Sequence, residues 1–287
     1  MKERVPVALT IAGSDSGGGA GIEMDLKVFA ALGAFGACAI TALTAQNSVG
    51  VRGCWEAPPE LVAAQLEAVL DDLNVGAAKT GMLSSAEVVR AVVGVLKRRP
   101  AGQRLLSAGA VAKAGAPAIP LVVDPVILAK DGSRLLSNDG VAAVRDELIP
   151  LATLVTPNVP ETRELTGIEV ATEEDARRAA EKLQALGCDW VLVKGGHLSG
   201  RAATDYLLGP CGAQALSSPR FPGGPFHGTG CALSAAITAH LARGASVPDA
   251  VASGRAFVQR LLQSAQPLGK GALFLHPTPQ MQKGDHS

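Results

Sequence analysis

The chain is poor in aromatic side chains and carries no excess of charge of either sign. Phenylalanine, tryptophan and tyrosine make up 3% of its 287 residues, while lysine plus arginine and aspartate plus glutamate are equal at 26 each. So few aromatic rings argue against a platform for stacking nucleic-acid bases. The charge balance argues against binding nucleic acid or a membrane surface through net charge. We therefore expect neither partner.

Cysteine pairs and long apolar runs are also missing. The five cysteines are widely spaced and form no C-x-x-C pair, which fits neither a disulfide framework nor a zinc site. No apolar stretch approaches the ~18 residues that a membrane-spanning helix requires. The first apolar run, residues 5–12, leads into a glycine loop without a cleavage-site pattern. These features predict a cytoplasmic protein with reduced thiols.

Apolar residues, in contrast, are abundant: they make up 47% of the chain, enough for a large core. Short β-branched runs alternate with longer helical patterns, which predicts βαβ units and a mostly parallel sheet with helices on both faces. The predicted strands are residues 5–12, 37–43, 75–80, 119–123, 154–156, 190–194 and 204–208. The predicted helices are residues 21–32, 59–73, 85–98, 140–149, 172–186, 230–242 and 247–266. We interpret residues 1–287 as one α/β domain, with an exposed insertion at 101–117, a variable segment at 210–225 and a frayed tail at 277–287.

Polar or glycine-rich loops follow several of the predicted strands. They are residues 13–15, 44–47, 124–125, 157–158 and 195–197. In sheets of this type the ligand lies beyond the carboxyl ends of the strands. We therefore expect these loops to converge on one site.

The most informative stretch is His227-Gly228-Thr229-Gly230-Cys231, which opens a predicted helix. The first N–H groups of a helix bind anions, helped by the helix dipole, and a cysteine at that point is expected to have a lowered thiol pKa. An anion cradle beside a potential base is what phosphoryl transfer to a hydroxyl requires. A glycine turn that packs the helix closely onto a strand is the alternative interpretation.

A glycine-rich loop at residues 13–21 follows the first predicted strand and precedes a helix. It is not a Walker A loop, because no Gly-Lys-Ser/Thr closes it, and it lacks the acidic residue that a dinucleotide fingerprint places ~20 positions later. Its glycines either allow a ligand to approach the backbone closely or form a flexible turn. Asp25, in the following helix, either hydrogen-bonds a substrate or meets the helix dipole.

Four polar residues at predicted strand ends and helix starts are candidates for binding phosphate and metal. Asn158 and Glu161, three positions apart, could face one Mg²⁺ ion or could form a turn with helix-start chemistry. Asp124 is a second carboxylate near such a metal. Lys194 could neutralise transferring phosphates or could be a surface lysine at a strand end.

Taken together, these motifs resemble those of the bacterial hydroxymethylpyrimidine/phosphomethylpyrimidine kinases of thiamine synthesis. Each match is weak alone, but the set appears in family order and covers roughly residues 7 to 265. The matching segments are IAGSDSGGGAGI at 11–22, DLK at 25–27, TALTAQN at 41–47, KTGML at 79–83, VDPV at 123–126, AKDG at 129–132, VTPN at 155–158, KGGH at 194–197 and HGTGC at 227–231.

This resemblance implies a three-layer, ribokinase-like α/β/α fold, use of ATP with Mg²⁺, and two successive phosphorylations of 4-amino-5-hydroxymethyl-2-methylpyrimidine. Carried over by motif, Gln46 reads the pyrimidine edge. Asp25 and Gly13 line the same pocket, and Met82 packs on the ring. Cys231 takes the place where related sugar kinases carry an aspartate base.

On the phosphate side, the resemblance assigns seven further residues. They are Lys194, Asp124 and Asn158 for ATP, Glu161 for magnesium, and Gly228, Thr229 and Gly230 for the anion hole. The segment 221–226 departs from the family pattern. We expect the protein to be a homodimer.

Two rival functions stay open at this point. Pyridoxal kinase activity is the closest, because the two heteroaromatic alcohols are similar in size; a small pocket closed by Met82 and read by Gln46 favours the aminopyrimidine. A catalytically silent pyrimidine-binding regulator is the other. The intact segment 228–231, with Lys194 and Glu161, argues against it. Sugar kinase activity is less favoured, because a cysteine stands in place of the aspartate base.

Overall fold

An eight-stranded sheet forms the centre of the computed structural model, which describes residues 4–98, 119–129, 132–195 and 202–277. The strands of this sheet are β1 (Val7–Ala12), β2 (Phe35–Ile40), β5 (Val75–Thr80), β6 (Leu121–Val123), β7 (Leu154–Val155), β8 (Trp190–Val193), β9 (Ala202–Gly209) and β10 (Gly212–Pro219). Their order is β10-β9-β8-β7-β6-β5-β1-β2. The strands from β8 to β2 are parallel, while β9 and β10 add an antiparallel edge.

Helices cover both faces of this sheet. They are α1 (Gly21–Ala31), α2 (Pro59–Asp72), α3 (Ala86–Lys97), α4 (Asn138–Ala143), α5 (Val159–Thr166), α6 (Glu173–Gln184), α7 (Thr229–Ala242) and α8 (Val247–Gln263). Side chains alternate along each strand, so Leu9 and Ile11 join the core under α2 to α6, whereas Ala8 joins the core under α1, α7 and α8. The predicted three-layer, ribokinase-like fold is confirmed.

The predicted strand at 37–43 is two strands with a break at Thr41. The Thr41 N–H still donates to the carbonyl of Ala12 at 3.0 Å, but its hydroxyl donates to the Met82 carbonyl at 2.6 Å, and the chain then leaves the central sheet. It continues as β3 (Ala42–Gln46), which pairs in antiparallel fashion with β4 (Val51–Glu56). The sequence did not predict β4, because most of its residues are exposed and follow no apolar alternation.

Helix boundaries also differ in two places. The predicted helix at 140–149 is α4 followed by one π-helical turn (Val144–Leu148) and one 3₁₀ turn (Ile149–Leu151). Pro150 lacks an N–H, so it cannot continue an α-helix at this point. Helix α5 was predicted only as a helix start; it ends at Gly167, whose φ is 73°.

The segment predicted as variable, 210–225, contains β10. The short strands β11 (Phe226–His227) and β12 (Leu273–Phe274) pair just in front of α7. Most of the insertion and tail predictions, residues 101–117 and 278–287, lie outside the described residues, as does His197. Within the described ranges, no helix combines the length and apolar character needed to cross a membrane.

Candidate active site

One cleft of about 1040 Å³ opens at the carboxyl edge of the sheet. Loops after β1, β3, β6, β7 and β8 meet the N-terminus of α7 around it, as the sequence predicted. The predicted site residues that line it are Gln46, Asp124, Asn158, Glu161, Lys194, Gly228, Thr229, Gly230 and Cys231. Three others, Gly13, Asp25 and Met82, are not among its lining residues.

The residues of the predicted anion cradle lie at the N-terminus of α7. Gly228 precedes the helix with φ at 78°, a left-handed conformation that favours glycine. A Cβ at this position would lie 1.8 Å from the carbonyl oxygen of Gly19, so the glycine also allows the two loops to pack together. Because a helix leaves its first N–H groups without partners in the helix, this end can bind a phosphate group.

Beside the cradle, Lys194 joins two carboxylates. Its Nζ lies 2.8 Å from Asp124 Oδ1 and 4.0 Å from Glu161 Oε2. Asp124 also accepts hydrogen bonds from the hydroxyls of Thr156 and Ser234, each at 3.2 Å. Lys194 is held at the end of β8 because its own N–H donates to the carbonyl of residue 157 at 2.8 Å. The cluster places one cation and two anions at the edge of the cradle.

Burial and ion pairing shift the pKa values of the three residues in this cluster in different directions. Burial raises the pKa of Asp124, but Lys194, Lys79 and the hydrogen bond from Ser234 together hold it below its usual value. Burial raises the pKa of Glu161 to about 7, since the more distant Lys194 offsets only part of it and Asp124 adds to it. Burial lowers the pKa of Lys194, but the two carboxylates raise it above its usual value. Lys194 and Asp124 are therefore charged near neutral pH, while Glu161 titrates there.

Asn158 and Glu161 also form the helix-start structure that was the alternative interpretation. The Asn158 side chain accepts from the Glu161 N–H at 2.9 Å, and Glu161 Oε2 accepts from the Asn158 N–H at 2.8 Å. This capping box starts α5. It also holds the Glu161 carboxylate beside Lys194, so the capping role and a role in the site are compatible.

The predicted lowering of the Cys231 thiol pKa is wrong. Burial raises this pKa to about 11; Lys79 and a hydrogen bond from the Gly21 N–H lower it, but Asp25 and Asp124 raise it further. The prediction weighed the helix terminus alone. Removal from water and two nearby carboxylates have the larger effect, and neither is visible in the local sequence.

Beneath this region lies a fully buried ion pair that the sequence analysis did not identify. Lys79 Nζ is 2.9 Å from each oxygen of Asp25, and the Thr10 hydroxyl donates to Asp25 Oδ2 at 2.6 Å. Both charged side chains are 0% exposed. Burial lowers the pKa of Lys79, but Asp25 raises it above its usual value, so the lysine is charged. Asp25 thus meets a lysine rather than the helix dipole.

Gly13 and Met82 pack together in the same buried layer. A Cβ on Gly13 would lie 2.5 Å from Met82 Cε, so only glycine leaves room for the methionine in this position. Met82 is 8% exposed. Their contact with a substrate ring stays a prediction.

Gln46 contacts a histidine and, through it, an aspartate. His227 Nε2 lies 3.3 Å from the Gln46 amide and 2.8 Å from Asp15 Oδ2. Asp15 also accepts from three backbone N–H groups of its own loop, at residues 17, 19 and 20. Burial raises the pKa of Asp15, but these hydrogen bonds, led by that from His227, hold it below its usual value. The Asp-x-Gly pattern at 15–17 is a turn signal that could have indicated this loop.

A second ion pair lies in the wall of the cleft near Lys194. Arg255 Nε lies 2.8 Å from Asp205 Oδ2, and Asp205 Oδ1 accepts from the Gly195 N–H at 2.9 Å. Both residues line the cleft. Because Gly195 follows Lys194, this pair helps to hold the lysine. No sequence signal indicated it, since β9 and α8 are far apart in the chain.

Comparison with known proteins agrees with this geometry. A family model described as phosphomethylpyrimidine kinase matches residues 15–276. A hydroxymethylpyrimidine/phosphomethylpyrimidine kinase of Streptomyces coelicolor is 47% identical over 266 residues, which cover 93% of this chain and 92% of the relative. A protein of the same name from Mycobacterium tuberculosis is 45% identical, with 93% and 91% covered.

Solved structures give the same result. A phosphomethylpyrimidine kinase from Clostridium difficile superposes with a TM-score of 0.74 at 38% identity, covering 90% of this chain and 99% of that one. An ADP complex of Bacillus subtilis pyridoxal kinase gives 0.81 at 33% identity, covering 95% and 98%. Together with the sequence match over nearly the whole chain, these likenesses show that the protein belongs to the phosphomethylpyrimidine kinase family.

Proposed function

We propose that the protein transfers the γ-phosphoryl group of ATP to the hydroxymethyl group of 4-amino-5-hydroxymethyl-2-methylpyrimidine, and then phosphorylates the monophosphate to the diphosphate, in thiamine diphosphate biosynthesis. One observation carries the proposal: a single cleft holds an anion cradle with Lys194 at one end and the amide of Gln46 at the other. The family relationship supports both steps.

In each step an acceptor oxygen attacks the γ-phosphorus and the bond to the β,γ-bridging oxygen breaks, so that ADP leaves. Negative charge builds up on the transferring group and on the leaving oxygen. The N–H groups of residues 228–230 and the α7 dipole stabilise this charge from one side. Lys194, held by Asp124 at 2.8 Å, supplies a positive charge from the other.

Mg²⁺ is compatible with this site only together with the nucleotide. Among the residues that the structure describes, no three His, Cys, Asp or Glu side chains form a group that could hold a metal. Mg²⁺ commonly uses one or two carboxylates, waters and substrate phosphates, which suits Asp124 and Glu161. When bound there it would neutralise phosphate charge. Asn158 keeps Glu161 in place through the capping box.

Cys231 is our candidate for the group that accepts the proton of the substrate hydroxyl. It lines the cleft at the first turn of α7. With a thiol pKa raised to about 11, the thiolate is a minor species at neutral pH but a strong base. The positive charge of Lys79 below it favours the thiolate. In the second step the acceptor phosphate is already largely ionised, because its second pKa is about 6.

At the pyrimidine end, Gln46 provides an amide that both donates and accepts, which matches a ring nitrogen beside an exocyclic amine. We propose that the substrate ring packs against the buried side chains of Met82 and Asp25 and the backbone of Gly13. Asp25 is positioned there by Lys79 at 2.9 Å.

Pyridoxal phosphorylation is the second candidate function. A structural likeness favours it: a pyridoxal kinase of Staphylococcus aureus, solved with AMP-PCP and pyridoxal, gives a TM-score of 0.83 at 28% identity. The higher sequence identities belong to relatives named hydroxymethylpyrimidine/phosphomethylpyrimidine kinase, so we place the pyrimidine first.

The test offers purified protein MgATP with the aminopyrimidine alcohol, its monophosphate or pyridoxal, and separates the products by mass. We expect mono- and diphosphate from the alcohol, diphosphate from the monophosphate, and much slower turnover of pyridoxal. Pyridoxal as the preferred substrate would reverse the assignment. Binding of the pyrimidine without any turnover would indicate the silent regulator.

We also propose a homodimer in the cytoplasm. On the β3–β4 hairpin, Leu43 and Trp55 are opposite each other and are 56% and 65% exposed, an apolar pair that a second copy could cover. The five cysteines, all of them among the described residues, form no disulfide, which is compatible with a reducing compartment. Sedimentation should give the dimer mass for the wild type and the monomer mass for Trp55→Lys. If Trp55→Lys is still a dimer, the dimer interface lies elsewhere on the protein.

A further inference from the structure

The backbone of Gln46 is held by the glycine-rich loop. Ser16 Oγ donates to the Gln46 carbonyl at 2.8 Å and accepts from the Gln46 N–H at 2.9 Å. What can still vary is the direction of the side-chain amide, whose two arms are an acceptor oxygen and a donor nitrogen. A half-turn of the amide exchanges them, so the direction decides what the cleft offers to a ligand.

His227 determines which arm faces it. Its Nε2 lies 2.8 Å from Asp15 Oδ2 and 3.3 Å from Gln46 Nε2. The Asp15 carboxylate is ionised and only accepts, so Nε2 carries a hydrogen whether the ring is neutral or charged. A donor on Gln46 would then face a second donor. The hydrogen-bonding partners therefore require the amide to be turned by a half-turn, so that its oxygen faces His227.

The contacts of Thr44 favour the same direction of the Gln46 amide. Its hydroxyl oxygen is 2.7 Å from the carbonyl of Ser14 and 3.4 Å from Gln46 Oε1. A carbonyl oxygen only accepts, so the hydroxyl hydrogen points to Ser14. Toward Gln46, Thr44 can offer only a lone pair. The same half-turn, which brings the amide nitrogen to Thr44, therefore satisfies this neighbour as well.

We propose that His227 and Thr44 are positioning residues that hold the Gln46 amide in this one direction and so select one order of donor and acceptor on the substrate ring. The proposal rests on the proposed function, in which Gln46 contacts the pyrimidine edge. The amide keeps one lone pair and one N–H for a ligand. It accepts from an exocyclic amine and donates to the neighbouring ring nitrogen.

A substrate ring with the opposite order of donor and acceptor distinguishes a fixed Gln46 amide from one that can turn. The 4-oxo analogue of the aminopyrimidine alcohol carries a carbonyl in place of the amine and an N–H in place of the ring acceptor. An amide held by His227 and Thr44 rejects it, because two acceptors and two donors then face each other. An amide free to turn accepts both rings.

The selectivity experiment measures kcat/KM for the amino and oxo substrates in Thr44→Val, His227→Leu and the matched control Thr44→Ser. We expect the amino-to-oxo ratio to fall at least about tenfold in Thr44→Val and His227→Leu and to stay at the wild-type value in Thr44→Ser. The KM for ATP should be unchanged in Thr44→Val. An unchanged ratio in both Thr44→Val and His227→Leu would overturn the proposal.

The amide direction is also measurable in the free protein. In NMR spectra, the side-chain NH₂ of Gln46, assigned by its loss in Gln46→Leu, should show a nuclear Overhauser contact with the Thr44 methyl group. A contact with the His227 ring instead would overturn the proposal. If the contact with Thr44 is found but the wild type does not phosphorylate the aminopyrimidine, the substrate assignment is overturned and the amide direction is confirmed.

Discussion

The two ends of the cleft, which we propose bind the phosphates and the pyrimidine, use different interactions. At the phosphate end, charged groups meet at the ends of strands and the start of a helix, with Lys194 at 2.8 Å from Asp124 and 4.0 Å from Glu161. At the pyrimidine end, Gln46 is surrounded by hydrogen bonds from loops and a hairpin. Charges act over distance with little demand on angle, whereas neutral hydrogen bonds depend on direction. The phosphate end should therefore control rate, and the pyrimidine end should control the choice of substrate.

The largest effect is expected at Cys231. Cys231→Ser keeps the size but provides a far weaker base, so kcat of the first step should fall about 10²–10⁴-fold with little change in the KM for ATP. The second step should lose less, because its acceptor is already ionised. Since the thiol pKa is raised to about 11, the first step of the wild type should accelerate as pH rises from 6 to 9. Steady-state kinetics of each step across this range measure both effects.

Cys211→Ser is the matched control, because Cys211 is exposed in the turn between β9 and β10. It should leave the kinetics of both steps unchanged. Equal losses in the two steps of Cys231→Ser would show that this cysteine packs or positions and is not a base.

Lys194→Met should produce the next largest loss, on the order of 10²–10³-fold in kcat for both steps, because the positive charge acts on the phosphate in each. Lys97→Met, an exposed lysine of α3, is the control. Thermal unfolding of both variants should accompany the kinetics, since Asp124 loses its ion pair. A loss confined to the first step would contradict the division between the two ends of the cleft.

Gln46→Leu should act on substrate choice. It leaves the polar edge of the pyrimidine unpaired, and we expect a loss of about 1–3 kcal/mol in kcat/KM for the aminopyrimidine. The KM for ATP should not change. Competition between the aminopyrimidine and pyridoxal, followed by mass, should show a smaller preference for the former. An unchanged kcat/KM would remove Gln46 from the substrate site.

The smallest kinetic effect is expected at Glu161. Glu161→Gln keeps the capping box, because glutamine can also accept from the Asn158 N–H, but it removes one charge. Activity should fall about tenfold and recover in part at high Mg²⁺ concentration. Glu164→Gln, on the exposed side of the same helix, is the control. A loss without altered Mg²⁺ dependence would restrict Glu161 to its helix-start role.

The same variant, Glu161→Gln, also tests how the titration of Glu161 contributes to the pH dependence of stability. Glu161 has a pKa of about 7 in the folded protein against an ordinary 4.5, so the folded state binds the proton more tightly than the unfolded chain. Its contribution to stability is therefore full below pH 4.5 and is lost as pH rises to 7. Denaturant unfolding without Mg²⁺ should show this decline in the wild type and less of it in Glu161→Gln. The same slope in both proteins would assign the titration to another group.

The phosphate end was largely predictable from the sequence, and the reason is geometric. Parallel strands end at one edge of a sheet, so polar residues after strands, such as Asp124 and Lys194, converge whatever the details of packing. The cradle at Gly228 is equally local, since a helix start is set by its own few residues.

The pyrimidine end and the buried charges were not predictable in the same way. Asp15 and His227 are 212 residues apart, and Lys79 is 54 residues from Asp25. No local sequence pattern indicates that the residues of these pairs are in contact. The thiol pKa of Cys231 was predicted with the wrong sign because burial depends on the whole fold. The exposed strand β4 was missed because it lacks the apolar alternation on which strand prediction depends.

The contact between Gly228 and the carbonyl oxygen of Gly19 joins the two ends of the cleft, with space for no side chain at position 228. Such a joint limits how this protein can change over generations. Substitutions at Gln46 or Thr44 can adapt the protein to a different substrate ring, because those side chains take no part in the contact between Gly228 and Gly19. Position 228 accepts no substitution, since even the Cβ of alanine would force the two loops apart. Substrate preference can therefore diverge rapidly in such a lineage while its phosphate cradle stays the same.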